Sequence, residues 1–151
     1  VNILNQMAQA LIDNAEFIVA QNRKDIADAD ANDLSDALKD RLLLDTNRIK
    51  SMADAIGQIA SHKEPLGKIL DGWITEDGLK IEKVSVPIGV IGIIYESRPN
   101  VTSDTAALCF KSGNVCVLKG GKEAQNPNVV IANILQEVLV KNNLPKQIIS
   151  L

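Results

Sequence analysis

Three short apolar runs, "IGVIGIIY" (88–95), "VCVLK" (115–119) and "QIISL" (147–151), are separated by stretches long enough for one helix each. No other feature constrains the fold as strongly. Strands that pair in parallel need a crossover of a dozen or more residues, usually a helix. Unbroken apolar runs suit strands buried on both faces, and "IGVIGIIY" is expected to be one. A helix is expected over Val101–Ser112, with Ala106, Ala107, Leu108 and Phe110 as packing residues, ended at Gly113-Asn114 by a left-handed C-cap. Gly120-Gly121 then turns into a second helix over Asn128–Lys141, closed by "NNLP". Strand, helix, strand, helix, strand with right-handed crossovers is the first half of a parallel, Rossmann-like dinucleotide-binding α/β domain. A half-built sheet leaves an edge strand unpaired, so Val1–Leu151 is expected to be a portion of a longer protein.

The preceding residues have other periods. From Ile3, the residues Met7, Ala10, Leu11, Ala15, Ile18 and Val19 recur at three- and four-residue steps and form one helical face. "DIADADANDL" follows as a solvated helix end. It lacks the glycine and terminal glutamate of a calcium loop. Ser35 is a fitting N-cap for a short helix through "DALKDRLLL". Asp45 or Thr46 caps a longer one carrying Ile49, Met52, Ala53, Ile56, Ile59 and Ala60, and "KEPLG" stops it. After Gly72, "WITEDGLKIEKVSV" alternates apolar and polar residues around Asp77-Gly78, which predicts a hairpin packed by Trp73.

Composition excludes several classes. A net charge of −3 with interspersed signs argues against nucleic-acid and anionic-membrane partners. No targeting segment is evident, and the longest apolar run is far short of a membrane span. With 2 cysteines, Cys109 and Cys116, both among apolar neighbours, the chain suits a reducing cytoplasm and has no disulfide framework. Neither thiol has the exposed, electropositive setting of a nucleophile. A single histidine, His62, without CxxC or HxxxH spacing leaves no zinc site.

Ligands of parallel α/β sheets bind beyond the carboxyl ends of the strands, and two such ends can be placed. At the first, Glu96, Ser97, Arg98 and Asn100 should emerge together: Arg98 suits bidentate anion binding and Asn100 an oxyanion contact. Equally, Arg98 could pair with Glu96 while Asn100 starts the next helix. At the second, Lys119, Gly120, Gly121 and Lys122 precede a helix start, which suits phosphate and ribose hydroxyls. The segment is neither GxGxxG nor a P-loop, and as a bare pattern it reads equally as a turn.

The run "VPIGVIGIIYESRPNVTSDTAALCFKSGNVCVLKGGKEA", with "GLKIEKVSVP" and "RIKSMADAIGQIA", resembles the γ-glutamyl phosphate reductase (glutamate-5-semialdehyde dehydrogenase) family of the aldehyde dehydrogenase superfamily. The resemblance spans the chain, corresponds to roughly the first third of a family member, and is most specific in "YESRPN…KSGN…LKGG". It implies NADPH-dependent reduction of L-glutamyl 5-phosphate to glutamate 5-semialdehyde, the second step of proline biosynthesis, through a thioacyl cysteine. It implies that Lys119 holds the adenosine ribose near its 2′-phosphate, aided by Lys122. With Gly120, Gly121, Glu96 and Ser97 these form the expected cofactor-binding set. Arg98 and Asn100 are both candidates for the oxyanion or substrate-anion contact. A homo-oligomer, an association with glutamate 5-kinase and a cytoplasmic location are implied as well. The family's nucleophilic cysteine lies in a later domain, and neither Cys109 nor Cys116 matches its surroundings, so this stretch alone should be inactive.

The expected organisation is residues 1–71 as the helical part of the cofactor-binding domain, 72–87 as a hairpin of the oligomerisation element, and 88–151 as the first half of the NADP-binding sheet. Two other readings stand beside it. One is another aldehyde or acyl-phosphate dehydrogenase, the other a non-catalytic nucleotide-binding or oligomerisation module.

Overall fold

The computed structural model describes residues 1–151. Four helices come first: α1 (Asn2–Asp13), α2 (Ala15–Ala31), α3 (Asp36–Leu42) and α4 (Thr46–Ser61). The predicted first helix is therefore two. Asn14 ends α1 by turning its side-chain amide onto the Ala10 carbonyl at 2.8 Å, the local competition that makes asparagine a helix breaker. The apolar face survives the break, because Leu4, Met7, Leu11, Ala15 and Ile18 are all buried. Asp45 caps α4 by accepting from the Arg48 backbone N–H at 2.7 Å. Ile49, Met52, Ala53, Ile56, Ile59 and Ala60 are the buried face of α4, which packs between α1 and the later helix Pro99–Lys111.

Residues 26–34 are exposed as expected, except buried Ala29 and the half-buried Ile26 and Leu34 beside it, but Asp25 is not. It is buried, and its carboxylate accepts from the Asn126 backbone N–H at 3.1 Å and from the Asn126 side chain. Asn22, also buried, donates to the Leu42 carbonyl at 2.8 Å and accepts from Leu44 N–H at 2.7 Å, holding the turn after α3 against α2.

The hairpin pairs β1 (Ile69–Ile74) with β2 (Lys80–Val84), and Gly78 in its turn has φ +83°. It begins three residues before Gly72 because Ile69 still pairs with Val84. Trp73 lies across from Ile81 and remains about half exposed (51%), so it does not close a core there. A two-stranded ribbon has no second layer to bury a ring against.

The parallel sheet has the order β3–β4–β5, with β3 (Val90–Ile94), β4 (Val115–Lys119) and β5 (Ile149–Ser150). Its crossovers are α5 (Pro99–Lys111) and α6 (Gln125–Lys141). Gly113, at φ +70°, follows α5 as a left-handed cap, and Asn114 N–H closes it on the Cys109 carbonyl at 2.8 Å. The Asn114 side chain then accepts from Gly89 N–H at 2.8 Å, fixing the start of β3 against the end of α5.

The strands are not buried on both faces. Cys116, Leu118 and Ile149 enter the aliphatic core with the helices, whereas Val90, Ile94 and Val117 face solvent. Alternate strand residues point to opposite faces, and the helices pack on only one. Leu108, on the outer side of α5, is exposed for the same reason, while Ala106, Ala107 and Cys109 point inward.

Candidate functional site

Both carboxyl-end tips lie at the same edge of the sheet, because β3 and β4 run parallel with Ile94 beside Lys119. The tips are fastened together. Ser97 donates to Glu123 Oε2 at 2.5 Å, and this bond is the first cause holding the Glu123 carboxyl below its usual range. Beneath it, Tyr95 and Thr102 share a 2.7 Å hydrogen bond, and Thr102 donates to Asn128 at 2.9 Å. Burial pushes the Tyr95 phenol up, so it stays a neutral member of that chain.

The two glycines belong to this packing. A Cβ on Gly120 would strike the Asn128 amide and sit 3.1 Å from the Tyr95 ring. A Cβ on Gly121 would strike Ser97 Oγ and lie 3.0 Å from the Ser97 nitrogen. The sequence suggested close approach of backbone to a ligand; the structure shows close approach of one tip to the other.

The expected site residues divide among three clefts. Lys119, Gly120 and Gly121 line one of about 260 Å³ together with Gln125, Asn128 and Leu151. Glu96, Ser97, Gly121 and Glu123 line a second, of about 340 Å³, closed by Leu34, Leu38, Arg41 and Leu42 of the helical region. Asn100 lines a third, of about 310 Å³, with Arg41, Arg48, Ser51, Pro99 and Asp104. Arg98 and Lys122 are exposed and line none of these three.

The local pairing of Arg98 with Glu96 does not form. Glu96 instead lies 3.7 Å from Arg41, and Arg98 makes no ion pair. Asn100 donates its amide to Asp104 one turn along α5, at 3.1 Å. That bond uses one of the two amide hydrogens, so exposed Asn100 keeps a donor beside the unpaired Arg98. Lys119 and Lys122 make no ion pair either. An exposed, unpaired lysine beside a glycine tip and a helix start fits the phosphate and ribose hydroxyls of a dinucleotide.

Sequence reasoning missed Arg41, Asp104 and Glu123. Glu123 directly follows Lys122 and could have been found by its place at the tip. Arg41 carried no signal, since nothing in "DALKDRLLL" tells which loop its helix will approach. The two cysteines are buried neighbours; burial pushes the Cys116 thiol up to about 12 and raises Cys109 as well. Neither is a nucleophile at neutral pH.

No family model matches the chain. A curated protein named gamma-glutamyl phosphate reductase from Aliarcobacter butzleri is 70% identical over 149 residues, covering 99% of this chain and 36% of that protein. Along nearly its whole length the chain is similar to a part of proteins named gamma-glutamyl phosphate reductase. It spans about a third of the length of the relatives it matches (36%). The crystal structure of gamma-glutamyl phosphate reductase from Thermotoga maritima superposes with a TM-score of 0.94 at 40% identity, over 98% of this chain and 36% of that one. An acetylating aldehyde dehydrogenase from Geobacillus thermoglucosidasius shares the fold, with a TM-score of 0.66 at 19% identity over 98% of this chain and 30% of that one. That likeness shows a shared fold over this stretch. No helix of the chain is long and apolar enough to cross a membrane.

Proposed function

We propose that the chain is the cofactor-binding part of an enzyme that reduces L-glutamyl 5-phosphate with NADPH and a proton, releasing glutamate 5-semialdehyde, NADP⁺ and phosphate. One observation carries the reading: similarity to named reductases along the whole chain, at 70% identity over 149 residues. The nucleotide, when bound, supplies hydride to the acyl carbon. A cysteine elsewhere in the longer protein forms the acyl thioester and expels phosphate.

The residues of this chain bind and orient. Lys119 holds the adenosine ribose and its 2′-phosphate, with Gly120 and Gly121 shaping the cleft floor and Lys122 adding positive potential. Glu96 and Ser97 line the adjoining cleft across Gly121, and Ser97 is held there by Glu123. Arg98, unpaired and exposed, meets the substrate's phosphate or the developing oxyanion. Asn100 acts by starting α5 and holding Asp104.

Residues 72–87 extend an oligomerisation ribbon. Its Trp73, Ile74, Leu79 and Val86 are exposed, apolar side chains available to a second copy of the protein. Residues 1–71 and 88–151 together make the first part of the NADP-binding domain. The setting is cytoplasmic proline biosynthesis, in association with glutamate 5-kinase.

The test is the reverse assay on the full-length protein: phosphate-dependent reduction of NADP⁺ by glutamate semialdehyde. Folded protein without such turnover overturns the assignment. Turnover confined to other aldehydes moves the protein to a neighbouring dehydrogenase class.

A further inference from the structure

The cleft beside Pro99 carries charge that neither the cofactor nor the reacting carbon requires. Its polar lining is Arg41, Arg48, Ser51, Asn100 and Asp104, around about 310 Å³ of space. Arg48 is committed to the fold, because its guanidinium binds Asp40 at 2.5 Å and the Leu43 carbonyl at 3.0 Å. Arg41 is not. Its ion-pair partner is the exposed Glu96 at 3.7 Å, a contact that contributes little in water.

Asp104 is the complementary group. One of its oxygens accepts from Asn100 at 3.1 Å, while the other, Oδ1, is buried without a partner. Buried polar atoms are satisfied in the great majority of cases, and each exception asks for a reason. Burial raises the Asp104 carboxyl, which is the response of an acid lacking a compensating cation. Both groups lie beside the β3 tip: Arg41 of α3 reaches Glu96, and Asp104 of α5 follows Asn100 by one helical turn.

A weakly paired cation and an under-satisfied carboxylate on one small cleft make a receptor for a dipolar ion. From this juxtaposition we propose that the cleft holds the α-amino-acid head group of the substrate, carboxylate on Arg41 and ammonium on Asp104. The inference rests on the glutamyl reading above and names the residues that select it. Asp104 and Arg41 are then specificity determinants that take no part in hydride or phosphate transfer.

The experiment uses the full-length enzyme and three aldehydes with phosphate and NADP⁺. These are glutamate semialdehyde, 5-oxopentanoate, which lacks the amino group, and 4-aminobutanal, which lacks the carboxylate. The unsubstituted enzyme should lose about tenfold or more in kcat/KM for each truncated aldehyde, the scale of one charge-assisted contact. Asp104→Asn should erase the discrimination against 5-oxopentanoate and keep that against 4-aminobutanal; Arg41→Gln should do the reverse. Thermal unfolding checks that each variant is folded, and if Asp104→Asn is not, the exposed Arg41→Gln carries the test alone. Glutamate semialdehyde turnover with unchanged preferences in the folded variants overturns the head-group site and leaves the reductase reading standing. Absence of any turnover by the unsubstituted enzyme overturns the reductase reading itself.

Discussion

Ser97 on the β3 tip and Glu123 on the β4 tip are joined by a 2.5 Å hydrogen bond that ties the two loops together. Gly121 makes the approach possible, since a Cβ there would occupy the space of Ser97 Oγ. Gly121→Ala should therefore separate the tips and destabilise the chain by about 1–3 kcal/mol, the usual cost of overpacking. Urea unfolding of the variant against the parent measures it; an unchanged midpoint would show that the tips do not need their contact.

Lys119→Ala should raise KM for NADPH in the full-length enzyme by about tenfold, or about 1.4 kcal/mol, with little change in KM for the acyl phosphate. Steady-state kinetics with each substrate varied in turn separates the two. An unaltered cofactor KM removes Lys119 from the nucleotide site.

Asp25 binds the first turn of α6 from 101 residues away, through the Asn126 backbone N–H and side chain. Asp25→Ala leaves that helix start without its acceptor and should cost about 1–2 kcal/mol, as for lost N-caps. Hydrogen exchange at the first turn of α6 should rise in step with the loss of stability. Protection unchanged there would refute the capping role.

Ile56, fully buried where α4 meets α1, should cost about 2–5 kcal/mol when cut to alanine. Denaturant unfolding checks this, and a loss under 1 kcal/mol would mean the helices repack around the gap.

Asp104 predicts a pH dependence. Its folded pKa is raised above 3.8, so the native state holds the proton more tightly than the unfolded chain. Its contribution to stability is then present below the unfolded pKa and lost as pH rises through the raised folded value. Asp104→Asn should accordingly be relatively more stable than the parent at neutral pH, with the difference shrinking towards pH about 3. Unfolding temperatures across that range test the sign; a parent that gains on the variant as pH rises would reverse it.

The α/β class, the crossovers and the two tips were legible because they depend on local signals. Apolar runs, Gly113-Asn114 and Gly120-Gly121 mark strand ends and turns whatever surrounds them. The inner and outer faces of β3 were not legible. Val90 and Ile94 are as apolar as Ile91 and Ile93, so composition cannot reveal that helices cover one side only. The start of α6 was misjudged by three residues because its cap, Asp25, lies in another helix.

At the site, residue types placed Arg98, Asn100, Lys119 and the two glycines at the sheet edge, yet their partners were invisible. Asn100 turned to Asp104, Glu96 to Arg41, and the glycines to Tyr95, Asn128 and Ser97. The sequence by itself determined the order of strands and helices and which loops end at the ligand edge. Those follow from periodicity and turn chemistry, which act over a few residues. Only the tertiary structure decided which charges stay unpaired, which face of the sheet is covered and which cleft each tip residue lines. Hydrogen bonds and burial between segments a hundred residues apart depend on distances that no local pattern encodes.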